Sequence, residues 1–409
     1  MNRPIKVLLA GVGSLNNYGC EAIVRGTAAM FQDEWPECTL IVATKTPADD
    51  AVRFRDCGNV QFVQEGLRFT PKRLWKGFLR RIGIGAGVPV RMNSLLYRDK
   101  QIFLSCGGDN FCEAPDGSLY NILQDLMMLG SNAAEAGLLY SLWGASVGPF
   151  SKKDTERKIA EHLQAAQLLC LRERIAFDYV SSLPLDNNHI LQVADPAYYM
   201  EVQPTAAIPR QPGEQLIGVN ISPLACSPAD FTAFNTLLAQ HKNIRLLCIP
   251  HVISTQGDAQ DDVSFMESFR AQSPYASRID ILPAGLGATA TKGYIAQCDL
   301  LIAARMHACV AGCSAGTPTL FLTYSSKGVG MAEYVYGHRK WVLSTRNLTG
   351  QDLVAKTESM LSEIAALHAY LKANNTRFKS DAIRALHHLK QTYTGKKQPV
   401  AMPALSHVH

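Results

Sequence analysis

Ten short apolar runs, each ending at a glycine or a polar loop and each followed by a segment of helical length, constrain this chain more than any other feature. They fall at 5–10, 39–43, 101–105, 138–143 and 167–171, then at 216–221, 244–249, 279–282, 299–303 and 319–323. A strand whose two faces are both covered reads as a near-continuous apolar run, and that is the condition of a parallel sheet with helices on each side. Between the two groups of five, residues 202–213 carry three prolines and a glycine that interrupt any period. The predicted fold is α/β: two doubly wound, Rossmann-like domains facing across a cleft. An N-terminal domain spans 1–205 and a C-terminal one 213–345; helices follow over 346–393, and a loose tail over 394–409. The 409 residues agree, being more than one core ordinarily holds.

Composition removes other classes. With 47% hydrophobic and 18% charged residues the chain is neither disordered nor fibrous. Forty Lys and Arg against thirty-five Asp and Glu leave a charge of +5, too small to argue for a nucleic-acid partner, and none is expected. Eleven cysteines, none in a Cys-x-x-Cys pair, suit reduced and mostly buried thiols. The opening MNRPIKVLLA is too short in its apolar part for a signal peptide. The most apolar stretch, 300–322, is interrupted by Arg305 and His307, short of the roughly 18 residues a membrane span needs. A cytoplasmic protein is expected. Residues 68–100 hold nine Lys or Arg and one acid, with Trp and Phe interleaved. That stretch reads either as a solvated helix face or as a helix resting on anionic lipid at the inner face of the membrane.

In doubly wound folds ligands sit beyond the carboxyl ends of the strands, so the loops after the apolar runs are where chemistry is sought. The first run opens into GVGSLNNYGCEA, where Gly13, Asn16 and Asn17 offer neutral hydrogen bonding suited to a sugar, or simply make a tight strand-to-helix turn. Its glycine spacing fails the dinucleotide fingerprint. The third run leads to Gly107, Gly108, Asp109 and Asn110, with Asp109 either a base for a hydroxyl or a helix cap. The fourth leads to Gly144, Ser146 and Gly148, a small-residue loop that shapes the pocket. Arg172 and Arg174 follow the fifth, placed to clamp an anion or to pair with Glu173 and Asp178. Asp195 before Pro196 reads equally as a strand-end acid or a turn residue.

In the second half, His251 follows a strand and a proline and is expected to be more exposed than a core histidine. The acids at 258–262 lack metal-ligand spacing, and no metal is expected. The sharpest signal is 299–331, where Arg305 and His307 lie between a strand and a helix of small residues. A cation and a titratable ring at a helix start can hold an anion and pass it a proton. The next strand ends in Tyr324, Ser325, Ser326 and Lys327, which predicts one rim carrying Arg305, His307 and Lys327.

Taken in order, these blocks resemble the polysaccharide pyruvyl transferases. The resemblance rests on Asn17-Tyr18-Gly19-Cys20-Glu21-Ala22, Gly107-Gly108-Asp109, Leu171-Arg172-Glu173-Arg174, Asp195-Pro196, Arg305-Met306-His307, Gly316-x-Pro318 and Lys327, across about 1–340. Cys20 departs from the family's frequent Asp, and 350–409 matches nothing. The resemblance implies a GT-B-like fold, no cofactor, and phosphoenolpyruvate as co-substrate. It implies a sugar or lipid-linked oligosaccharide as acceptor in exopolysaccharide or cell-wall synthesis. His307 would protonate the donor and Asp109 act as base; Arg172, Arg305, Lys327 and Ser326 would bind the donor, and Gly13, Asn16, Asn17, Asn110 and His251 the acceptor. A GT-B glycosyltransferase using a nucleotide sugar is the alternative. Against it, 300–332 offers no carboxylate to grip a ribose. A noncatalytic sugar-binding relative is the third reading.

Overall fold

The computed structural model describes residues 4–65, 94–106, 108, 110–113, 118–119, 122–186, 189–254 and 261–397. Asp109, Gly107, most of the basic stretch 68–100 and the end of the tail lie outside the described residues.

The described residues form two parallel sheets. Strands β1 (Ile5–Ala10), β2 (Cys38–Thr44), β3 (Val60–Gln64), β4 (Ile102–Ser105), β5 (Leu139–Ala145), β6 (Leu168–Leu171) and β7 (Ile190–Gln192) make the first, ordered β3-β2-β1-β4-β5-β6-β7. The second has β8 (Gln215–Asn220), β9 (Ile244–Cys248), β10 (Ile279–Ile281), β11 (Leu300–Ala303), β12 (Thr319–Thr323) and β13 (Val342–Ser344), ordered β10-β9-β8-β11-β12-β13. All ten expected runs are strands. Three more, β3, β7 and β13, each close one edge of a sheet.

Twelve helices of seven or more residues cover the sheets among the described residues: α1 (Tyr18–Glu34), α2 (Pro47–Arg53), α3 (Ile122–Glu135), α4 (Lys153–Leu163), α5 (Arg174–Ser181), α6 (Phe231–Gln240), α7 (Asp262–Gln272), α8 (Gly287–Ile295), α9 (Met306–Ala315), α10 (Ser326–Tyr336), α11 (Gly350–Ser362) and α12 (Ile364–Lys397). Several begin at side-chain caps, with Asn17, Glu173, Asp261 and Thr349 accepting from backbone amides of the first turn.

Helices lie on both faces of each sheet, so central strands such as β4, β5, β11 and β12 are buried along their whole length. Strand order reverses between β1 and β4 in the first sheet and between β8 and β11 in the second, which sets a crevice at each carboxyl edge. The last helix returns to the first domain. Phe378 packs on Tyr198 with centroids 5.0 Å apart, Tyr393 on Trp35 at 5.6 Å, and Lys390 donates to the Glu34 carbonyl at 3.1 Å. All eleven cysteines are free thiols, nine of them buried. Among the described residues no helix is long and apolar enough to cross a membrane.

Candidate active site

The first domain's switch point is closed by its own loops. Asn110 Nδ2 donates to the Gly11 carbonyl at 2.9 Å, and the Gly13 carbonyl accepts from the Lys45 amide at 3.0 Å and from Thr44 Oγ1 at 2.9 Å. Asn16 Oδ1 accepts from Arg53 Nη2 at 2.8 Å, and Asn17 caps α1 by accepting from the Gly19 amide at 3.0 Å. These bonds hold the loop to its own domain. Gly13 still faces open space.

Farther along the same edge, the residues after β5, β6 and β7 converge. Arg172 is buried; its Nε donates to Ser146 Oγ at 3.1 Å and its Nη1 to Asp195 Oδ2 at 2.7 Å. Asp195 serves two purposes, since its Oδ1 also accepts from the Ala197 amide at 2.8 Å and caps the turn Pro196–Tyr199. Burial alone would raise the Asp195 carboxyl; the Arg172 charge and the hydrogen bond to His307 outweigh it and hold it at about 2.

The second domain supplies its half where β8 and β11 lie side by side. Asn220, ending β8, accepts from the Arg305 amide at 2.9 Å and donates through Nδ2 to the Ile249 carbonyl at 2.8 Å. Arg305 immediately precedes α9, and its guanidinium grips fully buried Asp262 with two nitrogens, the closest approach being Nη2 to Oδ1 at 2.7 Å. Asp262 Oδ2 also accepts from the amides of His251 at 3.0 Å and Val252 at 3.1 Å.

His251 is not exposed as its position after a strand and a proline led one to expect. Its ring is buried, with burial driving its pKa down to about 4, because the strand-end loop is pulled under the first domain. There the His251 carbonyl accepts from the Tyr18 amide at 2.8 Å, and the Asn16 carbonyl accepts from the Ile253 amide at 3.2 Å. At the neighbouring strand end, Ser326 is exposed at the start of α10, whereas Lys327 is buried.

His307 joins the halves. From the second residue of α9 its Nε2 lies 3.0 Å from Arg172 Nη1 and 3.5 Å from Asp195 Oδ2. A neutral ring with Nε2 bare accepts from Arg172; a charged ring donates Nε2–H to Asp195. The other ring nitrogen lies against α1, where a Cβ on Gly19 would stand 2.3 Å from Nδ1. Only glycine permits that approach.

Glu173, beside Arg172, makes a second crossing. Its oxygens accept from the amides of Ile175 at 2.7 Å and Ala176 at 2.9 Å, while a Cβ on Gly330 of α10 would stand 2.2 Å from Oε2. Burial pushes this carboxyl up to about 7, overriding those amides and the charges of Arg172 and Lys327.

The sequence pointed to Arg172, Arg305, His307 and Lys327 at strand ends, and the structure brings Arg172 and His307 into contact. It ties Arg305 to a different carboxylate. Asp262 is a partner that the sequence does not single out, and Asp195, which reads equally as a strand-end acid or a turn residue, both caps a turn and pairs with Arg172. Their only sequence signal is a carboxylate within the first turn of a helix or just after a strand.

The sequence profile described as polysaccharide pyruvyl transferase matches residues 17–326. No curated protein matches in sequence. Among solved structures, a putative UDP-N-acetylglucosamine 2-epimerase from Listeria monocytogenes is 13% identical with a TM-score of 0.62, covering 98% of this chain and 99% of that one. The Anabaena protein Alr3699/HepE, solved with UDP and glucose, is 11% identical with a TM-score of 0.58, over 95% and 99%. CalG4, the calicheamicin glycosyltransferase, is 11% identical with a TM-score of 0.53, over 97% and 100%. At such identities the likeness is one of fold, and the fold is that of the GT-B glycosyltransferases and epimerases.

Proposed function

Because the chain belongs to the polysaccharide pyruvyl transferase family, we propose that it moves the enolpyruvyl group of phosphoenolpyruvate onto two hydroxyls of a sugar, forming a pyruvate ketal and releasing phosphate. The observation that carries this reading is the junction of His307 with Arg172 and Asp195, 3.0 and 3.5 Å away. The reaction needs a proton for the methylene carbon, cations for phosphate and carboxylate, and a base for the hydroxyls.

Protonated His307 gives its proton to the methylene carbon, and the central carbon becomes electrophilic. One sugar hydroxyl adds to it, and its proton restores the ring. The second hydroxyl then displaces phosphate as the carbon–oxygen bond breaks, and its proton leaves with the phosphate. Arg172, Arg305, Lys327 and Ser326 serve the donor's anionic ends, and the loop bearing Gly13, Asn16, Asn17 and Asn110 serves the acceptor, with Asp109 as the base that takes the first hydroxyl's proton and relays it to the ring. The acceptor is a sugar or lipid-linked oligosaccharide of exopolysaccharide or cell-wall synthesis, met in the cytoplasm or at the inner membrane face.

The test is phosphate release from phosphoenolpyruvate with a panel of nucleotide-linked and lipid-linked sugars, wild type beside His307→Ala, followed by mass spectrometry. The expected product is heavier by about 70 mass units and is lost in the variant. Glycosyl transfer from a nucleotide sugar without use of phosphoenolpyruvate would overturn the reading.

A further inference from the structure

The proposed centre is divided between domains: Ser146, Arg172 and Asp195 belong to the first sheet's edge and His307 to the second's. Its geometry exists only while the domains are held at one separation. Contacts from the first turn of α1 hold them.

Helix α8, in the second domain, has no side-chain cap of its own at Leu286. Its first turn is capped from the other domain: Glu21 Oε2 accepts from the Ala288 amide at 3.0 Å, and Tyr18 OH accepts from the Gly285 amide at 2.9 Å. Glu21 is almost fully buried, and its charge is matched within its own domain by Arg25 Nε at 2.8 Å and Arg53 Nη1 at 3.2 Å. A buried carboxylate facing bare amides at a helix N-terminus interacts with both the hydrogen bonds and the helix dipole. Farther along α8, Lys292 donates to the Met200 carbonyl, where the first domain ends.

The same turn of α1 touches the reacting group. Gly19, between Tyr18 and Glu21, lies against the His307 ring. Arg53 in turn bonds Asn16, on the loop assigned to the acceptor. We propose that Glu21, assisted by Tyr18, is a positioning residue: by capping α8 across the cleft it sets the domain separation at which His307 meets Arg172 and Asp195. This rests on the proposed reaction only for its kinetic consequence. The cap across the domains is a matter of structure.

The experiment uses the full chain as Glu21→Ala, Glu21→Gln and Tyr18→Phe. Amide hydrogen exchange over 285–293 and the radius of gyration by small-angle scattering are read beside phosphate release. Glu21→Ala is expected to raise exchange at these amides about tenfold and to expand the particle. Its kcat falls about tenfold while KM for phosphoenolpyruvate rises less than about threefold. Gln still accepts from Ala288, so Glu21→Gln falls between wild type and Glu21→Ala. Tyr18→Phe shifts every reading in the same direction and keeps its ring in the core, so it decides the matter if Glu21→Ala does not fold. Unchanged exchange in Glu21→Ala and Tyr18→Phe overturns the proposal, as does faster exchange with unchanged dimensions and kcat. Should the wild type not consume phosphoenolpyruvate, the proposed reaction fails, and exchange and scattering still decide the cap.

Discussion

Two arginine–aspartate pairs stand at the carboxyl edges of the two sheets, built from the same residue types and used differently. Arg172 gives one nitrogen to Asp195, and the Asp195 oxygen it touches also faces the other domain's histidine. Arg305 gives two nitrogens to Asp262, whose remaining bonds go to amides of its own domain's loop. The first pair is a junction across the cleft; the second is a strut that fixes the loop on which the first domain rests. An ion pair thus tells little about its role until the third partner of its carboxylate is known. Taking two charges out of water is costly, and each pair persists because its carboxylate is bonded beyond the arginine, Asp195 to the Ala197 amide and Asp262 to the amides of His251 and Val252.

Breaking the junction at its titratable member gives the largest expected effect. His307→Gln, near in volume but unable to carry a proton, should slow phosphate release from phosphoenolpyruvate by about 10²–10⁴-fold. Its melting temperature should stay close to wild type, because the ring is partly exposed. Asp195→Asn follows. It leaves Arg172 buried beside a neutral amide, and urea unfolding should show a loss of about 3–5 kcal/mol. Gly19→Ala adds one methyl where none fits, which should cost about 1–3 kcal/mol and slow turnover by about a hundredfold through displacement of the His307 ring. Asp262→Asn should cost about 2 kcal/mol, less than Asp195→Asn, since Arg305 keeps some solvent and the amide oxygen can still accept from His251 and Val252. If Asp262→Asn proves the more damaging of the two aspartate changes, the assignment of junction and strut is reversed.

The central strands were legible because burial on both faces leaves an unbroken apolar run, as in Leu300–Ala303. The missed strands are half-exposed edges: Val60–Gln64 mixes Gln with Val and Phe, and Ile190–Gln192 and Val342–Ser344 have three residues each. Arg172 and His307 were legible singly because their positions follow from the strands before them. Their contact was not, for it spans 135 positions and depends on how two domains meet. The exposure of His251 failed for the same reason, since it is covered by a loop of the other domain that no local pattern announces.

The smallest effect sharpens the comparison through the neighbour of the junction. Burial holds the Glu173 carboxyl at about 7, above the ordinary 4.5, so between those values the folded protein binds a proton that the unfolded chain has released. In that interval this group's contribution to stability declines as pH rises, and above about 7 it is lost in full. Glu173→Gln removes this one dependence and leaves the buried histidines and Asp195 to titrate as before. The stability of the variant relative to wild type should therefore increase steadily from pH 4.5 to 7 and level off beyond, measured by urea unfolding at each pH. A relative stability that instead falls with pH would mean that Lys327 and Arg172 outweigh burial at Glu173. That carboxylate would then be a second charged junction between the domains.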